Sequence, residues 1–232
     1  MKKTGKLALL ISGLALVLAF AACQNATTGY ADPGPSAPPP PPPGSTPDNP
    51  SIRVESIYLG SMISGTGWGN LLIEIDNARK YVALDLSGST MTDGVFAPGR
   101  VGTAGKPYIV SLILPDVATS IVSPFMDSAF YDFDNLREIT GKNLTSIGDR
   151  AFGNTPSLTS IILGATPPTL GLTIFNNSGT HARTVTFYVP NLSAYTGTPW
   201  TNRMGHWTAT IGSYWDSNLS HQQNLTVRIV ER

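Results

Sequence analysis

Few residues in this chain are equipped for chemistry. Its 232 residues include one cysteine, Cys23, and three histidines, His181, His206 and His221. No two histidines stand at metal-ligand spacing, and no His-Glu-x-x-His run occurs. A lone cysteine can form neither a zinc pair nor an intramolecular disulfide. Serines are plentiful, but none sits in the Gly-x-Ser-x-Gly setting that presents a hydrolase nucleophile. The carboxylates are scattered. Glu74 and Asp76 fall on a short helix candidate, while Asp127, Asp132 and Asp134 fall in one acidic stretch. The run Asp132-Phe133-Asp134-Asn135 lacks the spaced oxygens and closing glutamate of a calcium loop. A glycosidase needs two acids facing across a cleft, and solvated loop acids are the plainer reading here. These residues predict no enzyme, no metal and no cofactor.

The one reactive side chain gains a role from its neighbours. Lys2, Lys3 and Lys6 make a basic leader, and Leu7 to Ala22 carries no charge. That stretch is shorter than the roughly 20 residues a membrane span needs, and small residues follow it, so residues 1–22 read as a signal peptide. Phe20-Ala21-Ala22-Cys23 resembles the lipobox of bacterial lipoproteins, with Phe20 where that motif carries an aliphatic residue. The resemblance implies lipidation at Cys23 and a membrane partner held through the lipid. Gln24, rather than an aspartate, resembles an outer-membrane address. Loss of the leader removes three of the fifteen basic residues and none of the fifteen acids, leaving a net charge of about −3. No basic patch for nucleic acid remains.

The elements that would carry a site begin after a stalk. Residues 23–50 are rich in Gln, Asn, Ala, Thr, Ser and Pro, with six consecutive prolines from Pro38 to Pro43. Such a segment favours an extended polyproline II spacer of about 3.1 Å per residue. The weighed alternative is that the proline run is itself a ligand for a proline-binding domain. Residues 51–80 read as an N-terminal cap containing a helix candidate over Asn70 to Ala78, with Leu71, Leu72 and Ile75 at helical spacing and Asn70 as its cap; the run "LLIEI" reads equally as a strand.

From Tyr81 the sequence repeats. Leu136 and Ile139 recur 22 residues on as Leu158 and Ile161, and Ala129-Phe130 recurs as Ala151-Phe152. Alternation within each unit predicts short strands with Leu84/Leu86, Leu112/Leu114, Ile161/Leu163 and Phe187/Val189 inward, and with the Ala-Phe pair filling the interior. The run "LTSIGDRAFGNTPSLTSIIL" resembles the repeat of the BspA-like leucine-rich-repeat proteins, with Asn154 at a position those units fill with Cys or Asn. That resemblance implies a mostly-β leucine-rich-repeat solenoid over residues 81–190. It would have about five units of roughly 22–28 residues, short strands on the concave face, and a C-terminal cap over 191–232. Concave-face positions are then Asp85, Ile113, Thr140, Ile162 and Tyr188, the candidate binding residues.

The expected function is a non-catalytic lipoprotein of the bacterial cell envelope, anchored in the outer membrane and exposed at the surface. It would serve adhesion or protein–protein interaction, as the family resemblance implies. The rival is a carbohydrate-binding or carbohydrate-degrading lipoprotein. Its sugar platform would be the aromatic cluster of Tyr195, Trp200, Trp207, Tyr214 and Trp215, which otherwise reads as a cap over the core. A purely structural envelope protein is the third reading.

Overall fold

The computed structural model describes residues 46–62, 66–102, 104–123, 128–171, 174–175, 183–195, 200 and 225–232. All lie in one compact unit, Pro38–Arg232. Residues 1–45, which include the predicted signal segment, Cys23 and most of the predicted stalk, lie outside the described residues, as do Asp127, the three histidines, Trp207, Tyr214 and Trp215.

Eleven strands and one α-helix are described. The larger sheet contains β1 (Ser51–Val54), β2 (Val82–Asp85), β4 (Ile109–Ile113), β6 (Glu138–Gly141), β8 (Ser160–Leu163), β10 (Arg183–Val189) and β11 (Leu225–Glu231), in the order β1-β2-β4-β6-β8-β10-β11. The smaller sheet contains the two-residue strands β3 (Val95–Phe96), β5 (Ser120–Ile121), β7 (Ser146–Ile147) and β9 (Thr169–Leu170), in sequence order. Every pairing between these strands is parallel. Parallel neighbours cannot be joined by a hairpin, so the chain must cross over between them. From β2 to β9 it does so by visiting the two sheets alternately.

This corrects the expected fold. In place of a mostly-β leucine-rich-repeat solenoid, the described residues form two all-parallel sheets, of seven and four strands, and a 13-residue helix in an α/β-like layout. The physical reason lies in backbone pairing. The larger sheet does not stop at the ends of the repeated segment, because β1 and β11 from the flanking segments satisfy the outer N–H and C=O groups of β2 and β10. Local periodicity carries no signal for such distant partners.

The helix α1 spans Thr66–Ala78 and buries Trp68, Leu71, Leu72 and Ile75. It begins four residues before the predicted start, so Asn70 is an interior residue rather than its cap. Its first turn lies hard against the chain before it: a Cβ on Gly67 would meet the Tyr58 carbonyl oxygen at 2.2 Å. On the other side Gly105 adopts φ +76°, and a Cβ there would come within 2.1 Å of the Leu72 carbonyl oxygen. Only glycine fits both the left-handed backbone and that approach.

Inward positions follow the predicted alternation. Leu84, Leu86, Leu112, Leu114, Ile161, Leu163, Phe187 and Val189 are all buried, as are Ala129-Phe130 and Ala151-Phe152. The rings form a continuous interior column running Trp68, Phe96, Phe130, Phe152, Phe175, Phe187, Trp200, with successive centroids 5.5–6.3 Å apart. Phe133 branches from Phe130 at 5.4 Å, and Tyr195 packs edge-on to Trp200 at 5.0 Å. Offset and edge-to-face pairs at such distances add to what area burial alone supplies. Hydrogen bonds reinforce the stacking of successive turns: Ser128 Oγ donates to the Ala151 carbonyl at 3.2 Å, and Ser157 Oγ to that of Asp134 at 2.6 Å.

One cation lies inside this core. Lys106 is 1 % exposed; its Nζ donates to the Gly99 carbonyl at 3.1 Å and lies 6.0 Å from the Phe133 ring centroid. Burial holds its ammonium below the ordinary lysine range, against the opposing pull of Asp132. Burial in turn raises the Asp132 carboxyl, with Lys106 opposing.

Truncating the column at its middle, Phe152→Ala, is expected to cost about 3–5 kcal/mol, read as a fall in the urea midpoint of the full chain. Lys106 generates a pH prediction. Its folded pKa lies below its unfolded value near 10.5, so the unfolded chain binds more protons across that window. Stability should therefore rise with pH up to about 10.5, and Lys106→Met should flatten that rise; because it leaves the Gly99 carbonyl without its donor and Asp132 without its opposing charge, the variant should be less stable at neutral pH by about 1–3 kcal/mol. Urea titrations of both proteins across alkaline pH check it.

Candidate functional site

Each strand of the larger sheet places alternate residues on its outer face, and the register sorts them into two rows. One contains Ile52, Ala83, Ser111, Glu138, Ser160, Thr186 and Arg228. It is largely polar and internally bonded, with Ser160 Oγ donating to Glu138 Oε2 at 3.1 Å. The other contains Val54, Asp85, Ile113, Thr140, Ile162, Tyr188 and Val230, each register-paired with the next. Five of its seven members are apolar or aromatic. At about 4.8 Å between strands, the row crosses roughly 29 Å of surface.

All five predicted binding residues, Asp85, Ile113, Thr140, Ile162 and Tyr188, therefore lie side by side on one row. Asp85, Ile113, Ile162 and Tyr188 are partly exposed. Thr140 differs: it is only 6 % exposed, a short side chain between two longer ones, and contributes little to the surface. Cys23 lies outside the described residues. Sequence reasoning missed the two ends of the row, Val54 (67 % exposed) and Val230 (40 % exposed). The alternation in "NLTVRIV" shows which residues of β11 face outward, but no local signal pairs it with β10.

The row is electrostatically uneven. At one end the Asp85 carboxylate accepts from the Ser87 amide at 2.8 Å. At the other the Arg232 guanidinium lies over the Tyr188 ring, 5.7 Å from its centroid. Between these, a cavity of about 420 Å³ opens at the C-terminal ends of β6, β8 and β10. Its walls include Lys142, Asn143, Ile162, Tyr188, Pro190 and Arg232. Lys142 and Asn143 directly follow β6, and the fold makes them rim residues.

The cavity wall is held from beneath. Tyr195 is 2 % exposed and donates its hydroxyl to the Gly164 carbonyl at 2.7 Å. Burial pushes its phenol up to about 12, so it remains a donor through the physiological range. Gly164 packs against the neighbouring turn so closely that a Cβ would sit 1.7 Å from the Lys142 carbonyl oxygen. Trp200 is likewise interior, its Nε1 donating to the Pro168 carbonyl at 3.1 Å. These two aromatics close the core and present no open platform for a sugar.

Among the described residues no group of His, Cys, Asp and Glu is arranged to hold a metal ion, and no helix is long and apolar enough to cross a membrane. No family model, curated protein or solved structure matches the chain.

Gly164→Ala should force the two turns apart and lower stability by about 1–3 kcal/mol, because the clash is with backbone and cannot be relieved by a rotamer. Ala165→Gly, at an exposed neighbour, should cost under about 1 kcal/mol; thermal melts of both variants check the difference.

Proposed function

We propose that this protein is a non-catalytic surface lipoprotein whose larger sheet presents its outer face to a protein partner, in adhesion or another protein–protein contact. The observation that carries the reading is the row Val54, Asp85, Ile113, Thr140, Ile162, Tyr188 and Val230. Parallel sheets ordinarily have both faces covered. Here one face carries a part-exposed, largely apolar row, and contiguous exposed apolar surface is characteristic of interaction sites. The similarity of the repeated segment to BspA-like surface proteins supports the same reading, and the lipobox-like run ending at Cys23 supports an envelope anchor.

The carbohydrate rival loses part of its footing, since Tyr195 and Trp200 are spent on the core. The other aromatics of that cluster lie outside the described residues.

Protease shaving of intact cells tests the display, with Cys23→Ala as control. The expected outcome is loss of the wild-type protein while periplasmic markers survive, and release of the Cys23→Ala form from the membrane fraction. Full protection of the wild-type chain would place it inside the envelope and end the adhesion reading.

A further inference from the structure

The cavity at the basic end of the row has a chemistry of its own. Its inner wall is apolar, from Ile162, Leu163 and Val189, and its rim carries the two cations Lys142 and Arg232. Among the described residues, neither cation has a carboxylate within ion-pair distance; the ion pairs there involve Arg53 with Glu55 and Glu74, and Arg137 with Asp48. The side chain of Glu231, next to Arg232, is engaged elsewhere, accepting from the Leu192 amide at 3.0 Å. Asp85 stands on β2, three strands away from β8.

Arg232 lies at the surface with its guanidinium over the Tyr188 ring, 5.7 Å from the centroid, a cation–π contact that favours this placement. Its N–H donors lie in the plane of the fork, the geometry that grips a carboxylate with two parallel hydrogen bonds. Lys142 adds a second charge on the opposite turn. A cavity of about 420 Å³ admits a few side chains rather than a folded domain, and the apolar row leads out of it through Ile162, Tyr188 and Val230.

We propose that this cavity receives an acidic peptide segment of the partner protein, a carboxylate flanked by aliphatic or aromatic side chains. The inference rests on the reading of the outer face as a binding surface and gives that surface its recognition chemistry. Charge complementarity favours the carboxylate, and the apolar wall favours a hydrophobic neighbour. An acidic glycan fits less well, because the Tyr188 face on which a sugar ring would stack is occupied by Arg232. Two cations are too few for the charged track of a nucleic acid.

The test uses the full-length protein and three fluorescein-labelled probes: a peptide alternating Glu and Leu, the same peptide with Gln for Glu, and an oligogalacturonate of similar charge. Fluorescence anisotropy should show binding of the Glu-Leu peptide that weakens with salt. Binding of the Gln-Leu peptide should be at least about tenfold weaker, a difference of roughly 1.4 kcal/mol. Arg232→Ala and Lys142→Ala should each weaken the Glu-Leu peptide by about the same factor, with circular dichroism unchanged. Equal binding of the Glu and Gln peptides, or no effect of either variant, overturns the proposal. So does binding of the oligogalacturonate with none of the peptide.

An Ile113→Asp variant, on the same row but outside the cavity lining, separates this inference from the reading beneath it. If Ile113→Asp abolishes attachment of the native cells while the Lys142 and Arg232 variants do not, the cavity is not the recognition element and the surface reading stands. If none of the three affects attachment, both fall.

Discussion

The structure depends on packing aromatic rings one against the next through its interior. A two-residue strand such as Ser120–Ile121 or Ser146–Ile147 cannot hold itself together; its few ladder hydrogen bonds are worth about 1 kcal/mol each at best. What fixes its position is the interior it covers. Phe96, Phe130, Phe152 and Phe175 are each wholly buried and in contact with the next. Burial of one such ring is worth roughly 1.5–3 kcal/mol before any ring–ring term. With the rings in register, the backbone on either side is brought to the spacing at which parallel strands pair. The outward rows then follow without further specification.

This dependence explains why the outward residues are aligned at all. Nothing about Ile113 or Ile162 draws them together directly; their neighbours Leu112 and Ile161 do, by facing the same core. A one-residue slip would invert both faces of a strand. The cost of exposing a leucine or phenylalanine on the wrong side prevents it. The outward row is thus a by-product of core register, and its exposed residues can change without endangering the fold. Surfaces built this way are free to follow their partners.

Much of this was legible in the sequence, and the exceptions share a cause. The alternation in "VALDLS" and "SIIL" identified inward and outward residues, because burial acts residue by residue and leaves a period of two. The Ala-Phe beat marked the interior column for the same reason. The all-parallel pairing across two sheets and the α/β-like layout were not legible. The edge strands at Ser51–Val54 and Leu225–Glu231 have partners set by distant segments. The early start of α1 was hidden by Gly67 and Gly69, poor helix formers that close packing requires or tolerates. Lys106 stands in a Gly-Lys-Pro run with no apolar period around it, so nothing local signalled that it would be enclosed against Phe133. The cavity escaped notice because Lys142 and Arg232 are ninety residues apart and meet only through the fold.

The direction of the aromatic column has a mechanical consequence. A ligand held at Tyr188 and a tether leaving at Ser51 would pull across the strands, along the hydrogen bonds and not along the chain. Strand pairs loaded that way lie in series and open one at a time, so the weakest pair would set the limit. The column from Trp68 to Trp200 runs the same way beneath them. It would share the load in parallel, turning a row of separately unzipping seams into one spring.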